Sequence, residues 1–133
     1  MEGLGKHYLA EYYGCSRSVI DDTDRLRYIM SRAVELSKAN FIKAFFHRFS
    51  PQGVSGVVII AESHIAIHTW PEHDYAAVDL FSCGDFDFSA AFDYIKKEIQ
   101  ARKFSFSVVE RGILPGKGGE PVPLELKKID SGL

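Results

Sequence analysis

Apolar residues recur along this chain at two different spacings, and the switches between them mark out its elements. Residues 7–13 run His-Tyr-Leu-Ala-Glu-Tyr-Tyr, an aromatic-rich stretch that reads as a first strand. After Asp22 or Thr23, either of which can cap a helix, Leu26, Ile29, Met30, Ala33 and Leu36 fall three or four positions apart. That spacing lines one face of a helix, and Asn40 is its stop. Residues 41–49 give a second strand, and Ser50-Pro51-Gln52-Gly53 has turn chemistry. Residues 54–61 are apolar at odd and even positions alike, which marks a strand buried on both faces. Residues 64–70 alternate, 71–74 form a polar turn, and 75–83 make the next strand. A second helix covers about residues 89–102, burying Ala91, Phe92, Ile95 and Ile99. Residues 104–110 are a last strand. From Gly112 onward glycine and proline recur, so residues 113–133 read as a loosely held tail.

Two helices among about six strands predict an α+β fold, a two-layer sandwich with helices on one face of a mostly antiparallel sheet. Residues 1–112 form its single domain. The strand at 54–61 needs cover on its second face as well. A second copy packed sheet to sheet is the simplest source of that cover, so a homodimer forming a larger sandwich is expected.

Composition narrows the partners. The chain has 133 residues, with sixteen basic against eighteen acidic residues and a formal charge of −2. No Lys/Arg-rich stripe suggests nucleic acid, and no apolar run is long enough for a membrane helix. The first ten residues lack the regions of a secretory signal. Two cysteines, Cys15 and Cys83, do not make a disulfide scaffold, and the expected compartment is a reducing cytoplasm.

Reactive side chains concentrate between Phe49 and Gly84: Ser55, Glu62, Ser63, His64, His68, Glu72, His73, Asp79 and Cys83 among them. Taken one at a time, each has a bland reading. A strand histidine is more often a satisfied structural residue than a catalyst, and a buried cysteine behaves as a small hydrophobe. A metal held by His64, His68 and His73 is disfavoured, because positions 64 and 68 of one strand lie about 13 Å apart. No metal is expected. A thiol–imidazole pair of Cys83 with His68 is compatible with the sequence, as a hydrolase would use. So is a non-catalytic dimeric ligand-binding domain in which Ser63 merely begins a strand.

The joint pattern is more specific than its parts. Phe46-His47-Arg48-Phe49-Ser50-Pro51-Gln52-Gly53-Val54-Ser55-Gly56-Val57-Val58 is followed by Glu62-Ser63-His64, by His68-Thr69-Trp70-Pro71-Glu72 and by Asp79-Leu80-Phe81-Ser82-Cys83-Gly84. In this order and at these intervals, with Gly5-Lys6-His7 ahead of them, the stretches resemble the prokaryotic S-adenosylmethionine decarboxylase proenzyme family. Ala61 stands where many relatives have a serine. The resemblance spans roughly residues 3–112.

That resemblance implies a zymogen that cleaves itself between Glu62 and Ser63 and converts Ser63 into a pyruvoyl cofactor. The pyruvoyl group holds the amine of S-adenosylmethionine as a Schiff base and acts as electron sink when carbon dioxide leaves. The product is the aminopropyl donor for polyamine (spermidine) synthesis. By the same resemblance Ser55 and His68 support processing, Cys83 donates the proton to the decarboxylated carbon, Phe49 stacks on adenine and Glu72 binds the ribose diol.

Strand arithmetic adds an expectation of its own. A hairpin closed at 71–74 folds Ser82 and Cys83 back beside Ser63. A turn near Glu62 brings Ser55 close to Trp70 and so to the His68 end. His68 is five residues from Ser63, about 16 Å along a regular strand and on the opposite face. It cannot serve its own Ser63, so the site is expected to be shared between two chains.

Overall fold

The computed structural model describes residues 3–61 and 63–129, which form one seven-stranded sheet with three helices. The strands are β1 (Gly5–Tyr13), β2 (Phe41–Arg48), β3 (Val54–Ile60), β4 (Ser63–Trp70), β5 (Tyr75–Ser82), β6 (Lys103–Arg111) and β7 (Leu126–Ile129). Their order across the sheet is β2-β3-β4-β5-β1-β6-β7, and every pairing is antiparallel. The helices are α1 (Arg17–Ile20), α2 (Thr23–Leu36) and α3 (Phe88–Glu98).

Helix α2 begins where Asp22 accepts a hydrogen bond from the Arg25 N–H, and α3 begins where Asp87 accepts from that of Ala90. Each cap satisfies a backbone donor that has no partner inside its helix. Leu26, Ile29, Met30 and Ala33 of α2 and Phe92 and Ile95 of α3 are fully buried. They pack with Val58, Ile65, Ile67, Val78 and Leu80 in the core on one face of the sheet. Each of the Leu, Ile, Val, Met and Phe side chains among them contributes about 1.5–3 kcal/mol through burial. The Tyr12 hydroxyl donates to the Phe92 carbonyl at 2.8 Å, tying the sheet to α3.

The other face carries no helix. Along β3 the residues alternate between buried and half-buried, with Ser55, Val57 and Ile59 on the open side. The row that crosses the sheet there runs Phe45, Val57, Ala66, Asp79, Leu9 and Ser107. Phe45 remains 54% exposed and Trp70 42%. The second face of β3 is therefore less enclosed within one chain than its apolar sequence suggests.

Two elements differ from the sequence reading. Helix α1 spans only four residues, too short to show a period. Strand β7 pairs with β6 from within the Gly/Pro-rich tail. Its residues Leu-Lys-Lys-Ile are mostly exposed, so no alternation announces it. Among the described residues, no helix is long and apolar enough to cross a membrane.

Candidate active site

The candidate residues fall into two groups, one at each end of the β3–β4 hairpin. Ile60 pairs with Ser63, so two positions separate β3 from β4. Glu62 itself lies outside the described residues. Across the sheet Ser63 pairs with Ser82, which places Cys83 at the same end, as the hairpin arithmetic requires. The Ser82 hydroxyl accepts from the Gly84 N–H at 3.0 Å and shapes the turn that presents an exposed Cys83.

Ser63 is unusual. Its hydroxyl oxygen is buried, yet it has no hydrogen-bond partner among the described residues. Such a group costs about 1–3 kcal/mol, so its retention needs a reason other than stability. A cavity of about 430 Å³ opens at this end of the sheet, lined by its strand partner Ser82 and by Cys83, Tyr8, Phe86 and Phe88 with their neighbours. Tyr8 and Phe88 stack there at 4.3 Å. These rings were not foreseen as site residues, because the sequence brings them together only through α3.

At the opposite end, Ser55 pairs directly with His68. Their side chains share a 2.7 Å hydrogen bond between Oγ and Nδ1. The sequence placed Ser55 nearer Trp70. Closing the turn at 61–62 shifts the register by two residues, which keeps both side chains on the same face. A cavity of about 350 Å³ gathers Phe49, Ser55, His68 and Glu72. Phe49 sits edge-on to His47 at 4.6 Å, and its N–H bonds the Gly53 carbonyl across the turn. Gly53 has a φ of 101°, a conformation open to glycine and strained for other residues. Asp21 pins this turn by accepting from the Gly53 N–H and the Arg48 guanidinium, both at 2.8 Å. Partial burial pushes its carboxyl up, but those two donors outweigh it and hold it below the ordinary range. Thr69, buried behind, donates to the Ile20 carbonyl and accepts from the Val54 N–H.

The two groups do not meet within one chain. His68 pairs with Ala77 and Ser63 with Ser82, five strand steps apart and about 16 Å. The thiol–imidazole pair of Cys83 and His68 is thus not formed in one chain. The three histidines weighed as a metal set are also dispersed, with His73 on the turn Pro71–His73. His64 instead meets His7 and Asp79, a cluster the sequence reading did not anticipate. The other cysteine, Cys15, lies in the core, where burial pushes its thiol up to about 11.

Known proteins share this arrangement of chain and sheet. The sequence model of the S-adenosylmethionine decarboxylase family matches residues 6–112. An S-adenosylmethionine decarboxylase proenzyme of Thermotoga maritima is 48% identical over 113 residues, covering 84% of this chain and 87% of its own. A proenzyme of the same name from Carboxydothermus hydrogenoformans is 49% identical over 115 residues, covering 86% and 91%. Among solved structures, the adenosylmethionine decarboxylase of Aquifex aeolicus superposes with a TM-score of 0.78 at 38% identity, over 87% of this chain and 97% of that one.

Proposed function

This chain belongs to the S-adenosylmethionine decarboxylase family, and from that premise we propose that it is a cytoplasmic proenzyme that cuts its own Glu62–Ser63 bond and decarboxylates S-adenosylmethionine. The observation that carries this reading is Ser63 itself, the first residue of β4, whose buried hydroxyl has no hydrogen-bond partner among the described residues and whose strand partner Ser82 precedes Cys83. A hydroxyl not engaged by any other described residue is available to attack the carbonyl that precedes it. The Ser63 Oγ attacks the Glu62 carbonyl carbon, and the amide becomes an ester. Loss of the Ser63 Cα proton then expels the Glu62 carboxylate. Water replaces the remaining nitrogen, which leaves as ammonia, and a pyruvoyl group stays at position 63.

That group supplies an electron sink for the bond to the departing carboxylate. The residues around it bind, orient and move protons. Imidazole suits the removal of the Cα proton, since its ordinary pKa lies near neutrality, and Ser55 fixes the ring through Nδ1. Cys83, next to the strand partner of Ser63, protonates the substrate carbon in this reading after carbon dioxide leaves. Glu72 can accept both hydroxyls of a ribose, and Phe49 offers a face to adenine. The product is the aminopropyl donor for polyamine synthesis. The family match ends at residue 112, and β7 beyond it extends the edge of the same sheet.

Two chains build each site. His68 and Ser55 are too far from their own Ser63, so a two-fold copy brings them to it. The helix-free face, with Phe45, Val57, Ala66 and Leu9 across its centre, is the apolar surface such a copy would cover.

Intact mass tests the reading: residues 1–62 and a second piece beginning at position 63 with a blocked, ketone-bearing end are expected. One uncut mass from active protein would sink it. Cys83→Ala should still be cut, at least in part, while kcat falls by about 10²–10⁴-fold, the usual worth of a positioned proton donor. A cut variant with full turnover would remove Cys83 from this role. Chelators should change neither cutting nor turnover. Glu72→Gln should raise KM for S-adenosylmethionine by roughly ten- to a hundredfold, matching the loss of about 1.5–3 kcal/mol for a charged acceptor. If KM is unchanged and only cutting suffers, Glu72 belongs to processing.

A further inference from the structure

Cutting before residue 63 turns the first residue of β4 into a chain end, and chain ends fray unless something ties them down. The inference below rests on that self-cleaving reading. Because β4 starts at Ser63, no lead-in residue would remain to anchor it. The nearest side-chain tie is one residue along. His64 Nε2 lies 3.1 Å from Asp79 Oδ2, and His7 Nε2 lies 2.7 Å from the same oxygen. Asp79 stands on β5, between β4 and β1. His64 and His7 both sit opposite Phe81, so each reaches diagonally by two residues to the carboxylate.

We propose that Asp79, gripping His64 on one side and His7 on the other, is a positioning clasp that keeps residue 63 registered beside Cys83 once the chain is cut. Alternation along β4 puts His64 on the helix-free face and Ser63 on the other, so the clasp holds the strand from behind and touches no reacting atom. The three side chains are 20%, 25% and 35% exposed for His7, Asp79 and His64. Partial shielding of this kind strengthens a charge-assisted hydrogen bond relative to one at the open surface.

The neighbouring guanidinium favours one tautomer of His7. Arg111 Nη1 lies 3.4 Å from His7 Nδ1, and its guanidinium sits 4.9 Å over the Phe81 ring. Arginine can only donate, so His7 Nδ1 accepts and Nε2 carries the proton aimed at Asp79. The three ligating atoms lie within 4.8 Å of one another, close enough for a divalent ion. An ion, however, would need His7 Nε2 bare and Nδ1 protonated, which Arg111 opposes. Hydrogen bonding is the arrangement the surroundings favour.

The test compares Asp79→Asn, which keeps the side chain's shape, and Asp79→Ala in two full-length backgrounds: the self-cut protein and the uncut Ser63→Ala chain. A clasp acting on a chain end should lower Tm more in the cut protein than in the uncut one, where the covalent link still holds β4. In the cut protein kcat should drop by about ten- to a hundredfold, the scale of a misplaced reacting group, while KM stays nearly constant. Equal Tm losses in both backgrounds, or an unchanged kcat, would overturn the clasp. A zinc-dependent rise in Tm that disappears in Asp79→Ala would also overturn it, in favour of an ion site. A wild-type protein that is never cut would instead refute the self-cleaving reading on which the clasp depends.

Discussion

Replacing Ser63 by alanine should leave a single chain of about 14.9 kDa and no decarboxylase activity. On the proposed mechanism the loss would be complete because one oxygen would serve twice: it would attack the Glu62 carbonyl, and its residue would become the reactive group. Ser82, the residue opposite, cannot substitute, since the group formed at position 63 would have to come from the side chain of that residue itself. The fold should survive. The Ser63 Oγ is buried without a partner among the described residues, so its removal breaks no hydrogen bond seen there. Deleting such a group is close to neutral or mildly stabilising. Intact mass and a thermal melt therefore give opposite answers for one variant: cutting abolished, stability retained. A Ser63→Ala chain that is still cut at residue 62 would overturn the assignment.

Chains bearing Ser63→Ala and chains bearing His68→Ala, each inactive alone, should recover cutting and activity when co-expressed. The reason is the separation of the two groups along β4, about 16 Å and on opposite faces. In a mixed dimer one site is doubly damaged and the other is whole. With random pairing, activity should return to up to about a quarter of the wild-type level. The chain that is cut must be the one carrying His68→Ala, since its Ser63 is intact and its partner supplies the imidazole. Verified mixed dimers that stay uncut and inactive would place the whole site in one chain.

The run from β2 to β5 was legible in the sequence because those strands are joined by short connections. The caps and apolar spacing from Asp22 to Ala33 located α2, and the turn at 71–74 fixed the partnership of Ser63 with Ser82. Even the two-residue error at Ser55 preserved the correct face, so the Ser55–His68 pairing was nearly in reach. Contacts between distant segments were not legible. His7 and Asp79 are 72 positions apart, and nothing in either segment says that β1 inserts beside β5. The Tyr8–Phe88 stack was hidden for the same reason. Strand β7 was missed because four exposed residues with two lysines carry no burial signal.

The strand order has a mechanical outcome for the severed protein. The first piece would own β1, β2 and β3, and the second β4 to β7. Yet β1 lies between β5 and β6, while β3 lies against β4. The shorter piece is therefore threaded into the longer one, held along both borders of β1 and one border of β3. Pulling the two apart means tearing three ladders at once, so the halves of a nicked molecule should travel together through every native purification step and part company only in denaturant.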